Sequence, residues 1–257
     1  MKTGKKPTSS PYLVPALERG LKILELLAEH PGGLLMGEMK SLALPPASLY
    51  RMLVTLMASG YILQDDTDRY FLGHKLLTLG YKALDHISLP EKASPFMRSL
   101  RDQVRETVAL GVLSCGEGVV VDTVRSQEPV CVYVQIGHHF PLHTAAPAKA
   151  ILAFLPEGEL KKELEKMTFP RFTKKTIGSK KEFLAELENV RKSGIAYDRG
   201  EESGDLVCAA APIFDRNSYP VAAIWITGPE SRLSPKKLQS AGKEVKKTAE
   251  KITLHII

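Results

Sequence analysis

The sequence predicts an α+β chain in two parts. Between residues 17 and 79, three short helix-like patterns are followed by a turn, two strand-like pieces and a further helix. From residue 89 onward, valine-rich strand patterns alternate with helical ones. With 257 residues, 44% hydrophobic and 25% charged, the chain is long enough for two domains.

Residues 1–11, MKTGKKPTSSP, carry Lys2, Lys5 and Lys6 and almost no apolar side chain, so they are expected to form a flexible basic tail. Leu17, Leu21, Leu24, Leu27 and Ala28 then recur at three- and four-residue intervals, which places an apolar stripe on a helix ending at Pro31-Gly32-Gly33. A short second helix is expected over 36–41. A third starts near Pro45 or Pro46, because a proline suits a first turn whose N–H groups have no intrahelical partner, and Leu49, Leu53 and Leu56 face inward along it. Its outward face carries Pro46, Ala47, Ser48, Tyr50, Arg51 and Thr55. Gly60 closes it, and residues 61–64 and 69–72 read as two strands around the acidic turn 65–68. Helices in that order followed by a hairpin are the layout of a winged helix-turn-helix over residues 12–72. In such a unit the start of the second helix of the motif enters the major groove, where arginine can bond a guanine edge and small hydroxyls reach bases or phosphates. The tip of the wing is acidic, leaving Arg69 and Gln64 as its candidate backbone contacts. A small helical domain that docks a partner protein is the other reading of the segment.

Residues 73–88 read as a linker helix whose apolar positions, Leu76, Leu77, Leu79, Ala83, Leu84 and Ile87, are wider than one buried face requires. Pro90 and Pro95 open a second domain over 89–257. Strands are expected at 107–113, 118–124, 130–136, 207–214 and 221–227, and helices at 148–154, 181–193 and 235–254, giving a mainly antiparallel sheet with flanking helices.

Charge does not single out the N-terminal part. Residues 1–88 hold 10 Lys+Arg against 8 Asp+Glu, and residues 89–257 hold 25 against 21, so the net +6 is spread along the chain. The lysine clusters at 161–181 and 236–251 are expected on solvated helix faces. No stretch reaches the roughly 18 apolar residues of a membrane span or the apolar core of a secretory signal. Cys115, Cys131 and Cys208 have no CxxC spacing. Both observations lead to the expectation of a cytoplasmic chain.

The strings LERGLKILELLAEH, LALPPASLYRMLVTLMASGYI and RYFLGHKLLTLG closely resemble the N-terminal domain of the IclR family of transcription regulators. ETVALGVLSCGEGVVVDTV, PLHTAAPAKAILAFLP, KSGIAYDRGEESGDLVCAAAPIFD and VAAIWITGPESRLS resemble its effector-binding domain, in the same order and spacing, so that the likeness covers about residues 12–253. The resemblance implies a GAF-like C-terminal domain and a ligand-responsive regulator that binds double-stranded operator DNA. It also implies a linker helix that packs in dimers, hence a homodimer or homotetramer. Two related half-sites would multiply the specificity of one short helix.

Carried over residue by residue, the effector pocket comprises Gly111, Leu113, Ala145, Ala146, Pro147, Asp198, Leu206, Cys208, Trp225 and Thr227. Asp198 is either a rim carboxylate or a solvated loop acid. Cys208, between Val207 and Ala209, reads as a small apolar residue, and a pocket wall is compatible with that. Trp225 stands where many relatives have a small polar residue; it either shrinks the cavity, stacks on a planar ligand or packs in the core. Two departures concern charge. Pro46-Ala47-Ser48 replaces a common Lys-Ser-Thr run, which removes a phosphate-contacting lysine. Ala148-Lys149-Ala150 replaces Gly-Lys-Ala, which limits close backbone approach to an anionic ligand.

Two other functions have candidate residues in the chain. A cysteine nucleophile, Cys208 or Cys115, with His138, His139 or His143 as base would make an enzyme, but no catalytic signature surrounds them and no activity is expected. A metal site from the same histidines is disfavoured because neighbouring strand residues point to opposite faces. Neither metal nor cofactor is expected.

Overall fold

A computed structural model describes residues 13–84, 89–114 and 116–256. The basic tail, Cys115 and the end of the linker helix at Ile87 lie outside the described residues. The chain divides into two compact units, Met1–Ile87 and Ser88–Ile257.

In the first unit, α1 (Pro15–Ala28) leads through β1 (Leu34–Leu35) to two tight 3-10 turns, Met36–Glu38 and Lys40–Leu42. These turns stand where the short second helix was expected. Ala43 ends them in the left-handed region at φ 49°, which reverses the chain into α2 (Pro46–Ala58). Pro45 caps α2 and Pro46 opens it, as the paired prolines predict. At its end Gly60 adopts φ 77°, and the N–H of Tyr61 returns to the Leu56 carbonyl. β2 (Ile62–Gln64) and β3 (Arg69–Leu72) form the wing, and β1 adds to β3, giving an antiparallel sheet in the order β1-β3-β2. Asp65 shapes the wing tip: its Oδ1 accepts from the Thr67 N–H and hydroxyl and from the Arg69 N–H, which holds the carboxyl below its usual pKa. α3 (Lys75–Leu84) follows.

The α1 stripe is only in part the one expected, with Leu27 in the core and Leu24 packed against it. Ile23 and Leu27 are buried with Leu49, Leu53, Ile62 and Tyr70, whereas Leu17 and Leu21 are 64% and 51% exposed. The helix carries two apolar faces. The small core receives the one containing Ile23, and the leucines of the first two turns stay outside it.

The second unit begins with α4 (Leu89–Val104), a helix that carries both of the prolines marking its entry. Pro90 is harmless in a first turn, and Leu89, Ala93, Met97 and Leu100 form the buried stripe that pays for the lost hydrogen bond at Pro95. β4 (Thr107–Ser114), β5 (Glu117–Val124), β6 (His139–Phe140), β7 (Ala196–Asp198), β8 (Leu206–Phe214) and β9 (Pro220–Pro229) make one sheet, ordered β6-β5-β4-β9-β8-β7 and antiparallel throughout. α4 and α8 (Pro235–Ile256) cover one face, where Val108, Leu110, Ala209, Ile224 and Ile226 are buried. α5 (Ala146–Leu152), α6 (Glu157–Lys166) and α7 (Lys180–Ser193) belong to the other, with Ala109, Val120, Ala210, Ala223 and Trp225. Alternation in β4, β8 and β9 sorts side chains between these two cores.

The strand expected at 130–136 is irregular coil, with Val130 74% and Tyr133 69% exposed. Side chains capture its carbonyls: Arg232 Nη1 donates to Val130 O and Thr107 Oγ1 to Val132 O, both at 2.7 Å. The edge of β5 pairs instead with β6.

Candidate nucleic-acid interface and effector pocket

α2 presents Ala47, Tyr50, Arg51 and Thr55 to solvent, with Ser48 half-buried and Tyr50 55% exposed. Among the described residues no carboxylate pairs with Arg51. Thr55 Oγ1 donates to the Arg51 carbonyl at 2.8 Å, so this hydroxyl offers only its lone pairs outward. Arg69, expected to reach a phosphate, also has partners within the domain. Its Nη1 donates to Gly33 O at 2.9 Å and to Glu38 Oε2 at 3.3 Å, bracing β3 against the turn before β1. Gln64 Nε2 likewise donates to Asp68 Oδ1. Ser48, Arg51 and Thr55 form one flank of α2 and border a hollow of 600 Å³ shared with Leu17 and Leu21 of α1.

In the second unit the ten expected pocket residues fall on one side of the sheet. Gly111 and Leu113 alternate along β4 in the same phase as Ala109, which pairs with Trp225. On β8, Leu206 and Cys208 are in phase with Ala210, and Cys208 lies opposite both Thr227 on β9 and Asp198 on β7. Ala145, Ala146 and Pro147 are buried at the start of α5, which packs on β8 and β9.

Aromatic rings close over the small residues. Trp225, 5% exposed, meets Phe140 edge to face at 5.6 Å, and a Cβ on Gly111 would lie 3.0 Å from both rings. A Cβ on Gly118 would sit 1.9 Å from Phe140, so the ring seats only where no side chain stands. Trp225 thus packs in the core.

Asp198 is 5% exposed, not a solvated loop acid. Its Oδ1 accepts from the N–H groups of Gly200 and Glu201 at 3.0 and 2.7 Å; burial nonetheless raises its pKa, and those bonds and Lys149 offset part of the rise. Burial, reinforced by Asp198, pushes the Cys208 thiol up to about 12, and a hydrogen bond with Thr227 opposes only part of it. At neutral pH this sulfur is a protonated, apolar wall and no nucleophile.

The sequence did not disclose a buried ion pair beside these residues. Lys149, with no exposed surface, donates from Nζ to Glu201 Oε1 at 2.6 Å. Burial raises Glu201 to about 7 although Lys149 acts in the opposite sense. A lysine inside the run Ala-Ala-Pro-Ala-Lys-Ala-Ile-Leu was the available signal, since such a charge needs a partner when buried. Among the described residues, two buried side-chain oxygens have no hydrogen-bond partner, Thr144 Oγ1 and Glu201 Oε2.

The histidines diverge. His139 Nδ1 lies 2.9 Å from Glu117 Oε2, while buried His143 donates from Nε2 to Pro170 O between the rings of Phe169 and Phe172. Among the described residues no group of three His, Cys, Asp or Glu could hold a metal ion, and no helix is long and apolar enough to cross a membrane.

A winged helix-turn-helix joined to a separate unit with a three-layer core around a curled antiparallel sheet defines the class: a DNA-binding transcriptional regulator with an effector-binding domain. The IclR helix-turn-helix domain matches residues 16–66, and the C-terminal domain of the bacterial transcriptional regulator IclR matches residues 81–254. The chain belongs to the IclR family. It is 32% identical to the transcriptional repressor IclR of Escherichia coli, covering 98% of this chain and 95% of that protein. Among solved structures it resembles Thermotoga maritima IclR, with a TM-score of 0.77, 29% identity and coverage of 93% and 98% of the two chains. Pseudomonas aeruginosa HmgR is similar too, with a TM-score of 0.75, 26% identity and coverage of 95% and 99%. These relatives are transcriptional regulators rather than enzymes.

Proposed function

We propose that α2 reads an operator in the major groove, with Arg51 as the principal base contact and Pro46, Ala47, Ser48, Tyr50 and Thr55 forming the docking face. The carrying observation is that Arg51 stands exposed on α2 with no carboxylate partner among the described residues, while Arg69 is engaged within the domain. Arg69 therefore acts as a brace of the wing. A small-molecule effector binds over the sheet among Gly111, Leu113, Ala145, Ala146, Pro147, Asp198, Leu206, Cys208, Trp225 and Thr227, in the cytoplasm, and biases operator binding by preferring one state of the protein. The protein works as a homodimer or homotetramer. The exposed Leu17 and Leu21 on α1, beside the exposed Val14, form an apolar patch of the kind found at association surfaces, which supports self-association.

The test begins with duplexes selected from a random pool by the purified chain, followed by gel shifts at fixed salt. A bidentate arginine–guanine contact contributes about 1–3 kcal/mol, so Arg51→Ala should weaken binding by about tenfold or more. Unchanged affinity would remove the major-groove assignment.

A further inference from the structure

α2 winds at about 3.6 residues per turn, so its burial pattern fixes which side chains point directly away from the core. Opposite buried Leu49 and Leu53, Ala47, Val54 and Ala58 run along the midline of the outward side. Tyr50 and Arg51 flank that line, Thr55 lies beyond Arg51, and all of these residues are exposed. Val54 is 40% exposed and β-branched, in a helix where alanine or a straight chain would be the better former. Neither packing nor helix propensity accounts for it. The same side is short of hydrogen-bonding groups. Thr55 has given its hydroxyl proton to the Arg51 carbonyl at 2.8 Å, and the residues one turn before and after Arg51, Ala47 and Val54, offer only carbon. α2 holds no acidic residue, which suits a polyanion. Arginine serves a guanine edge; the aliphatic group that a base edge presents in the major groove is the C5-methyl of thymine.

We propose that Val54 is a specificity-determining residue of α2, whose methyl groups meet the C5-methyl of a thymine within one step of the base pair contacted by Arg51. The inference rests on the major-groove reading of α2. Residues three apart on a helix are neighbours, with Cβ atoms about 5–6 Å apart, and successive bases of a strand rise about 3.4 Å, so Arg51 and Val54 span adjacent or next-but-one bases. A guanine is then read by hydrogen bonds and the thymine beside it by contact between apolar groups that both leave water.

Duplexes selected from a random pool by the full chain are resynthesised with deoxyuridine at one thymine at a time, which removes the methyl and leaves every hydrogen-bonding group in place. The guanine contacted by Arg51 is the one whose replacement by deazaguanine, which lacks N7, weakens the natural chain but not Arg51→Ala. In gel shifts at fixed salt, uracil at a thymine within one step of that guanine should weaken the natural chain by about fourfold, the worth of one buried methyl. Val54→Ala should bind the thymine and uracil duplexes equally and keep its sensitivity to deazaguanine. Its fold is not at risk, because the side chain is exposed and alanine is the better helix former. The proposal is overturned if no thymine near that guanine responds to loss of its methyl, or if Val54→Ala keeps the natural preference for thymine over uracil. With Arg51→Ala still weakening binding, either result removes Val54 alone. Unchanged affinity in Arg51→Ala would instead remove the major-groove reading of α2, and this inference with it.

Discussion

Replacing Lys149 by methionine keeps the volume and the aliphatic stem of the side chain but removes the cation that faces Glu201. Both members of the pair are buried, with 0% and 6% of their side-chain surface exposed, so water cannot take over the role of the lysine. Removing one partner of a buried pair costs about 3–5 kcal/mol when the other stays charged. Glu201 can escape that cost by taking up a proton. Its folded-state pKa already stands at about 7 against an ordinary 4.5, and losing Lys149, the main influence holding it down, raises it further. A carboxyl with a raised folded pKa contributes stability that is fully present below its unfolded value and lost as pH rises through its folded value. Both proteins lose stability in parallel between about 4.5 and 7. Above 7 the natural chain levels off as Glu201 ionises beside Lys149, while the variant goes on losing roughly 1.4 kcal/mol per pH unit until its own carboxyl ionises. The deficit should therefore be small at pH 6 and reach about 3 kcal/mol near pH 9. Urea unfolding followed by the fluorescence of Trp225, the single tryptophan, reports on the second unit. A deficit that does not change between those two pH values would refute the reasoning.

Three other variants probe separate features. Gly118→Ala places a methyl group within 1.9 Å of the Phe140 ring, so the ring must leave Trp225; a loss of about 1–3 kcal/mol and a shifted tryptophan emission are expected, and an unaltered spectrum would contradict that packing. Arg232→Met strips Glu106, 3% exposed, of a bidentate partner and frees the Val130 carbonyl. Amide exchange should accelerate across residues 130–136 and stability fall by about 3 kcal/mol, whereas unchanged exchange would show that the loop is held by something else. Leu17→Glu with Leu21→Glu should reduce the mass seen in sedimentation equilibrium, and a mass equal to that of the natural chain would show that the α1 face is not an oligomer contact.

Local signals carried most of the fold. The paired prolines located the start of α2, Gly60 its end, and apolar, valine-rich runs bounded by turn residues the long strands β4, β8 and β9. Signals failed where the outcome depended on distant partners. Periodicity in α1 identified an apolar face but not which of two faces the core would take, and Ile23 displaced Leu17 and Leu21 because of what α2 and β3 present to it. The valine-rich run at 130–136 promised a strand, yet a strand needs an edge, and side chains from Thr107 and Arg232 claim those carbonyls. Pro90 and Pro95 signalled only the entry to the second domain, although the helical stripe through Leu89, Ala93, Met97 and Leu100 was legible beside them. The pocket residues came from family likeness, not from pattern. Lys149 and Glu201, 52 positions apart, could be paired only by the fold.

The packing around the proposed pocket constrains what an effector binding there must do. Its floor is made of small residues, Gly111, Ala109, Ala210 and Cys208, and the space above them is taken by Trp225 and Phe140, both less than a tenth exposed. A ligand entering there must displace ring contacts worth about 0.5–1.5 kcal/mol beyond the area they bury. It then meets a thiol that stays neutral, a threonine hydroxyl and an Asp198 carboxyl whose Oδ1 is already held by two backbone N–H groups. A planar, largely apolar molecule recovers what the rings give up by stacking against them, while a small hydrated acid loses its water and gains few donors. Displacing the aromatic pair also changes the core beneath α5, so a ligand that does so binds two arrangements of this unit with different affinity. That difference is the physical requirement for any effect on DNA binding.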